Sequence, residues 1–591
     1  MLTRPSLFLI ALFGLLPYIS TLKLPPIPSF WTEWLACVLA LCWLVSLRTE
    51  TAPASQARAP SRWAWGSVAP RPLAVPLAVF GFAAMAATLL VQLLLHRPLF
   101  MGAPVLVLLT LVLASLVCMA GAKVRGAGEA ARLLDAWSVA LVLALLLNVA
   151  AVLAARQGLH LFGYEIRWRE PPLRALGLVG QPNQLAMFAA LASLAAHYLW
   201  MRGKLPWLGH ALVSLASGLV IAGSGSRAGA LLWVFGTGLC AFALRGHAAR
   251  RAGWRLLAAG VVMFGLSQWA WKATDPIAVG AATAMRTDTL GRIELYRDSW
   301  ALIKRHPLDG VGYGNFMAAR WNELPTSLFE PTAHHSHNVV AQLAVELGLI
   351  GAFFVLVPVG WALWRCLLVV TRRGVRPEQL MAASVALLIA GYSLTEFPLW
   401  YTFFLLPFAL MLGLVEQPEP RPKLTPASRG LRWIGLVAGL GLCVLFALDY
   451  RRSEALYWSM ELQQSGEPGK LVHIPMQEAS SNALLSAFDV YSNLMYSRAL
   501  SPDGMLMRYK LDFTERAMLS MTNEETIGRQ VALLVVAGDL DVARELLTRT
   551  HRNPDLERNT RDILRRLSHL HPALDAFVKA LPPLPPRPQG Q

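Results

Sequence analysis

The sequence predicts an all-α, polytopic integral membrane protein, and three observations carry that prediction. Hydrophobic residues make up 55% of the 591-residue chain and charged residues only 15%, with a mean hydropathy of +0.46, well outside the range of soluble domains. The apolar residues fall in runs of roughly 16–23, the length that crosses a hydrocarbon core of about 30 Å as a helix. Backbone groups in lipid must find partners within their own segment, so the spans are helices.

Thirteen spans are expected, at 6–22, 30–47, 73–95, 101–120, 135–155, 184–201, 207–222, 228–244, 255–272, 348–370, 378–394, 399–414 and 432–449. The first has Arg4 before it and Lys23, Pro25, Pro26 and Pro28 after it, without a small-residue cleavage site, and reads as a retained signal-anchor. The connecting segments alternate in charge. One set is basic: Arg48, Arg58, Arg62 and Arg71; Lys123, Arg125 and Arg132; Arg202 and Lys204; Arg245, Arg250, Arg251 and Arg255; Arg372, Arg373 and Arg376; Arg421, Lys423, Arg429 and Arg432. The positive-inside rule makes this set cytoplasmic and accounts for the net charge of +17 without nucleic acid. The N-terminus is then cytoplasmic, and the other set of loops faces outward, into the periplasm of a bacterium. An odd number of spans places the C-terminal tail there too. The six cysteines all lie in apolar runs without CxxC spacing, so neither a disulfide nor a zinc site is expected.

Two outward segments break the charge rule. The stretch 156–183 holds Arg156, Arg167, Arg169 and Arg174, and the long stretch 273–338 holds Arg286, Arg292, Arg297, Lys304, Arg305 and Arg320. Topology does not explain these cations; an anionic ligand would. After residue 450 the composition turns polar with helical periodicity, as in 523–548, where Gly538-Asp539 marks a turn between two amphipathic helices. This tail, 450–580, is expected to be a periplasmic helical domain resembling tetratricopeptide pairs, followed by a Pro-rich end at 581–591. The spans before it divide into an N-terminal group, 1–176, and a core, 177–449, that contains the long segment.

Five stretches on the outward side carry candidate chemistry. In His334-His335-Ser336-His337-Asn338, directly before an apolar helix, His337 can accept a hydroxyl proton near neutral pH. The spacing lacks the H-x-x-x-H pattern of a helical zinc site and no Cys or Asp accompanies it, so no metal is assigned; a surface His cluster is the plain alternative. Arg227, in the turn Ser224-Gly225-Ser226-Arg227, is either a phosphate ligand or a snorkelling arginine. Arg292 precedes an amphipathic segment that ends in Gly310-Val311-Gly312-Tyr313-Gly314, glycines that match neither a Rossmann nor a P-loop pattern. Gln181, Asn183 and Gln184 stand at the mouth of a span, as ligands for a sugar or diphosphate or as a helix cap with Asn183 at the N-cap. Glu396, in Glu396-Phe397-Pro398-Leu399-Trp400-Tyr401, can pair with an arginine or orient the histidine, while Trp400 and Tyr401 can equally be interfacial aromatics.

These blocks (GQPNQLA, SGSRAG, RIELYRDSWALIKRHPLDGVGYGNF, HSHNVVAQLAVELGLIG and EFPLWYTFFLLP) resemble the O-antigen ligase/polymerase-like superfamily of bacterial membrane glycosyltransferases. Within it the chain looks most like the protein O-oligosaccharyltransferases, on the strength of GQPNQLA and the helical domain after the last span. The resemblance implies an inner-membrane enzyme that moves a preassembled glycan from undecaprenyl diphosphate to Ser or Thr of a periplasmic protein such as a pilin, by an inverting displacement without metal, cofactor or nucleotide sugar. It puts the essential histidine on His337, the arginines on Arg227 and Arg292, the amide on Gln184 or Gln181, and the tyrosine on Tyr401. The alternatives are an O-antigen ligase with lipid A core as acceptor, an O-antigen polymerase, and a transporter of the lipid-linked glycan. The absence of a nucleotide-binding motif and of an obvious inverted repeat weighs against transport.

Overall fold

The computed structural model describes residues 2–47, 75–159, 174–244, 250–273, 281–324, 333–416, 426–464 and 486–584. Arg48, Arg58, Arg62, Arg71, Arg167, Arg169, Arg245, Arg421, Lys423 and the tail from 585 lie outside the described residues. Among the described residues there are helices and turns and no strand. The helices are α1 (Arg4–Ile19), α2 (Phe30–Ser46), α3 (Leu77–Leu94), α4 (Gly102–Gly126), α5 (Ala130–Arg156), α6 (Pro182–Met201), α7 (Trp207–Ser224), α8 (Arg227–Ala243), α9 (Arg250–Ala273), α10 (Ala281–Arg305), α11 (Phe316–Glu323), α12 (Val339–Thr371), α13 (Pro377–Tyr392), α14 (Thr402–Val415) and α15 (Pro426–Gln464). Six more follow: α16 (Asp489–Ala499), α17 (Met507–Ser520), α18 (Glu524–Ala537), α19 (Leu540–Thr548), α20 (Pro554–Leu567) and α21 (Pro572–Lys579).

The protein is therefore an all-α, multi-pass membrane protein. Each of the thirteen expected spans falls on a helix. Among the described residues seven helices, α3 to α7, α12 and the 433–458 part of α15, are long and apolar enough to cross a membrane, and α1, α2, α8 and α14 are shorter apolar helices. The centre of the bundle is α6, buried nearly all round by α5, α7, α8 and α13. A helix apolar on every face belongs in such a position. Against α4, α14 approaches so closely that a Cβ on Gly413 would stand 2.0 Å from the Cys118 carbonyl oxygen, the small-residue packing that brings helix backbones together in lipid. At the other extreme, the apolar part of α15 is almost wholly exposed at the bundle edge.

The long polar segment is not an open loop. It holds α10 and α11, joined by a buried ion pair in which Arg320 Nε donates to Asp298 Oδ2 at 2.9 Å. The glycine-rich stretch after α10 turns out to be a latch on α12. Val311 N donates to Val345 O at 2.9 Å, Gly312 N to Glu346 O at 3.1 Å, and Leu349 N to Pro307 O at 2.8 Å. This ladder requires α12 to break, and it does so at Gly348, with φ 70° and ψ 173°. The break explains why the predicted span begins at 348 although the helix begins at Val339: the turns before the kink are a separate helical segment carrying Gln342 and Glu346.

The tail is helical, as the periodicity predicts. Gly538 ends α18 with φ 89° and Leu540 opens α19. Its core, built on Ile527, Val531, Val535, Leu547, Leu564 and Leu574, also takes in Trp321 of α11. The domain is tied to the spans by polar contacts. Asp489 Oδ2 accepts from Met101 N at 2.9 Å and Gly102 N at 3.0 Å, so a carboxylate from the domain caps the first turn of α4. Tyr450 accepts from Ile27 N at 3.1 Å and stacks on Phe30 with ring centroids 3.8 Å apart.

The Gly348 break generates a test. An alanine there is forced into backbone space that is essentially reserved for glycine, at about 1–3 kcal/mol, and its Cβ would stand 2.1 Å from Leu308 O. Gly348→Ala is expected to lower the thermal midpoint and the folded yield in detergent, measured by fluorescence-detected gel filtration on heating, whereas Gly360→Ala, with open space around the added methyl, is expected to leave both unchanged.

Candidate active site

One carboxylate gathers the residues that the sequence scatters. Glu396, in the turn between α13 and α14, has its side chain 6% exposed. Its Oε1 accepts from a terminal nitrogen of Arg292 at 2.5 Å and from Asn183 Nδ2 at 3.1 Å, and its Oε2 lies 3.4 Å from His337 Nδ1. Burying a carboxylate without partners is costly. Here the partners come from α6, α10 and the segment before α12, so one group fixes three elements.

Around this centre the local sequence sets each side chain. His337 has φ 55°, a left-handed conformation uncommon outside glycine and tolerated by histidine better than by most residues. The residues on either side hold it there. Ser336 N donates to Gln342 Oε1 at 2.7 Å, Asn338 N-caps α12 through Val340 N and Ala341 N, and Asn338 Nδ2 donates to Leu394 O at 3.2 Å. Gln342 Nε2 in turn donates to Glu346 Oε1 at 2.9 Å, and the same oxygen accepts from Gly314 N at 3.0 Å. The glycine turn therefore supports the histidine segment from below.

His335 has a different role from its neighbour. Its ring centroid is 4.6 Å from that of Phe397 and 5.5 Å from that of Trp400. Burial pushes its pKa down to about 3, with His334 and His337 adding to the effect. It is a neutral aromatic spacer under the turn that carries Glu396. Trp400 thus packs on the histidine segment. Among the described residues no group of three or more His, Cys, Asp or Glu is arranged to hold a metal ion.

The amide stretch is sorted by the structure. Gln181, not Asn183, caps α6, its side-chain oxygen accepting from Gln184 N at 2.6 Å. Asn183 instead links the centre outward: its Oδ1 accepts from Arg174 at 2.7 Å, and its carbonyl accepts from the Tyr392 hydroxyl at 2.8 Å. Gln184 is buried and hydrogen-bonds the Tyr401 phenol. Arg174 Nε donates to Ser224 O at 2.7 Å, which ties the 174–183 stretch to the turn before α8. Arg227 opens α8 directly after its N-cap, Ser226, and is exposed. Arg174 and Tyr392 were not singled out by the sequence; the one available signal was that Arg174 is an arginine in a loop of the set expected to lack them. Arg286 gives no side-chain position to describe.

The class of the protein follows from what matches this arrangement. Residues 211–356, which hold Arg227, Arg292 and His337, match the family model described as O-antigen ligase. Residues 380–553, which hold Glu396 and Tyr401 and run on into the helical tail, match that described as virulence factor membrane-bound polymerase, C-terminal. The chain is thus similar to these membrane-protein families in two separate blocks, and the Glu396 cluster draws residues from both. Among individual relatives, it is 24% identical over 392 residues to a general O-oligosaccharyltransferase of Acinetobacter baylyi (strain ATCC 33305 / BD413 / ADP1), a match covering 63% of this chain and 65% of the relative. The chain therefore matches somewhat less than two thirds of the relative's length, and that relative is of the branch to which the sequence motifs point.

The neutral state of His335 has a pH consequence. Its folded pKa lies below the unfolded value of 6.5, so the unfolded chain takes up the proton first. The stability that a neutral His335 contributes is complete above pH 6.5 and falls as pH drops toward about 3, by at most about 1.4 kcal/mol per pH unit. His335→Phe is expected to keep the packing and flatten the acid limb of a thermal-midpoint curve taken from pH 7.5 to 5. A variant as acid-sensitive as wild type would show that His335 is not the group buried neutral.

Proposed function

We propose that the protein is a protein O-oligosaccharyltransferase, which transfers a preassembled glycan from a polyprenyl diphosphate such as undecaprenyl diphosphate to a Ser or Thr hydroxyl of an acceptor protein. The observation that carries this reading is the Arg292–Glu396–His337 cluster at one end of the bundle, flanked by Arg174 and Arg227. We infer with it that all thirteen expected spans cross the inner membrane and that the cluster, with the helical tail, faces the periplasm. The name of the Acinetobacter relative and the helical tail favour a protein acceptor over lipid A core or a second lipid-linked glycan.

The chemistry required is displacement at an anomeric carbon. The acceptor oxygen forms a bond to that carbon, the bond from the carbon to the diphosphate oxygen breaks, and the hydroxyl proton goes to a base. His337 suits the base. With Nδ1 turned toward Glu396 the carboxylate favours the Nδ1–H tautomer, so Nε2 on the opposite edge of the ring carries the lone pair. Glu396 then stabilises the imidazolium that forms, as the carboxylate does in hydrolase triads. Such general-base assistance amounts to about 10²–10⁴-fold in rate.

The leaving group develops negative charge, and fixed cations stabilise it. Arg292 is held at one edge by Glu396, and its planar fork suits two-point contact with a phosphate. Arg227, at the first turn of α8, adds its own charge to the positive end of a helix. Arg174 joins Arg292 and Arg227 as a third cation for this role, linked to Glu396 through Asn183. Gln184 and Tyr401 are placed to position the sugar or the acceptor. A single displacement of this kind inverts the anomeric centre.

The test is glycan transfer in a host that makes a lipid-linked glycan, with a candidate acceptor protein and lipid A core both present. Wild type is expected to give a glycosylated protein band. His337→Ala is expected to reduce it at least about a hundredfold while the protein remains inserted, and Arg292→Lys to impair it severely. Transfer to lipid A core alone would reassign the acceptor, and a His337→Ala variant with normal transfer would remove His337 from the mechanism.

A further inference from the structure

The outward-loop lysine, Lys23, has no place in the cluster around Glu396, yet it is half-buried. It sits between α1 and α2 with its chain against the turn before α6: a Cβ on Gly180 would be 3.2 Å from Lys23 Cε. Among the described residues its ammonium donates one hydrogen bond, to Thr32 Oγ1 at 2.7 Å. An ammonium has three donors, so two are left for something else. Burial pushes its pKa down to about 8, opposed by Glu33. It still carries its charge at neutral pH.

Three further polar groups meet at the same junction. Glu33, one turn into α2, uses its carboxylate and carbonyl on Thr402 N (3.4 Å) and Thr402 Oγ1 (3.1 Å), which places it beside Tyr401. Tyr401 is joined to Gln184 and lies within electrostatic reach of both Glu33 and Glu396. The third group comes from the helical tail. Tyr491 of α16 packs on the cluster of Phe30, Tyr450 and Phe488, next to Ile27 and Trp31. It interacts electrostatically with Glu33 and with Tyr401. Its hydroxyl has no hydrogen-bond partner among the described residues, although the ring is enclosed by Phe30 and its neighbours. The position of α16 is firmly set, since Asp489, two residues before Tyr491, caps α4.

The junction therefore holds an ammonium with two open donors, an amide, two phenols and a carboxylate, beside aromatic rings: Tyr401 has its centroid 6.1 Å from Phe397 and 5.5 Å from Phe403. Mixed donors and acceptors with flat apolar faces suit the alternating hydroxyls and C–H faces of a sugar. Arg292 pairs with Glu396, and Arg174 is linked to it through Asn183, the residue before Gln184. A lipid-linked saccharide with its diphosphate among the arginines would reach the junction with its sugar end.

We propose that Lys23 and Tyr491, together with Gln184 and Tyr401, form a saccharide subsite that holds the transferred glycan beyond the diphosphate, so that the helical tail contributes a side chain directly to the donor pocket. The inference rests on the proposed glycan transfer and adds to it a role for α16 and for the first outward loop. Tyr491 and Lys23 act here by binding and positioning the glycan, and no bond is made or broken at either.

The experiment uses the full chain in detergent with a lipid-linked oligosaccharide donor and an acceptor protein. Donor KM and kcat are measured for wild type, Tyr491→Phe, Lys23→Met and Lys23→Arg, and each protein is also inhibited with a polyprenyl diphosphate that carries no sugar. Absence of transfer by wild type would sink the proposed activity itself. Given wild-type transfer, Tyr491→Phe and Lys23→Met are expected to raise donor KM by roughly tenfold, the loss of about one hydrogen bond, with kcat changed less. Lys23→Arg recovers part of the loss. Inhibition by the sugarless diphosphate stays at the wild-type value in both variants, while Arg292→Lys weakens it. Wild-type donor KM in both variants would overturn the proposal. So would an equal weakening of the sugarless inhibitor, because the two residues would then act on the phosphates or on the fold rather than on the glycan.

Discussion

The structure depends on the burial of one carboxylate, Glu396, where three elements meet. An ionised carboxyl withdrawn from water must be paired several times over, and Glu396 meets this need with Arg292, Asn183 and His337. Those residues are separated from it by 104, 213 and 59 positions along the chain, respectively. Satisfying the one charge therefore requires α6, α10 and the start of α12 to converge on the turn before α14. The same requirement orients the histidine, since its Nδ1 is the edge that faces the carboxylate. Structural necessity and chemical competence are here one arrangement.

The second constraint is the break in α12. A continuous helix from Val339 would carry Gln342 and Glu346 straight on into the apolar part of the segment, with their polar atoms unmet. The Gly348 kink turns the first two turns aside and lets the Val311–Gly314 strip pair with their backbone and with Glu346. The glycines of that strip serve backbone-to-backbone contact, the permissive use of glycine, rather than contact with a phosphate. Arg320 and Asp298 complete the support from the side by fixing α11 on α10. The reactive face is thus shaped by a scaffold that is itself polar and hydrogen-bonded.

This division shows why some features were legible in the sequence and others were not. Length and apolarity locate helices, because crossing a bilayer is a one-dimensional constraint; so every predicted span falls on a helix, and even the start at 348 reflects the kink. The convergence of the five polar stretches could be inferred from alternating loop charge, which is also counted along the chain. What could not be read was pairing. Asn183 has a good N-cap side chain and the expected position, yet Gln181 does the capping, because Arg174 and Glu396 compete for Asn183 and both are remote in sequence. The segment 281–305 looked like loop because its face is set by contacts with α11 and α12 instead of by lipid. His335 and His337, two residues apart and alike in sequence, both meet Phe397 and separate only when Trp400 is seen against the first and Glu396 beside the second.

The helical tail completes the argument about how such a site stays assembled. A helical domain hung on the bundle by α15 alone would be free to move relative to the loops around Glu396. Instead its Asp489 supplies the cap that the first turn of α4 lacks, and Tyr450 and Phe488 lock onto Phe30 at the start of α2. Trp321 of α11 is shared with the core of the domain. These contacts reach the N-terminal spans on one side and the α10–α11 segment on the other. The domain is therefore held by elements far apart in the chain, α2, α4 and α11, and not by α15 alone.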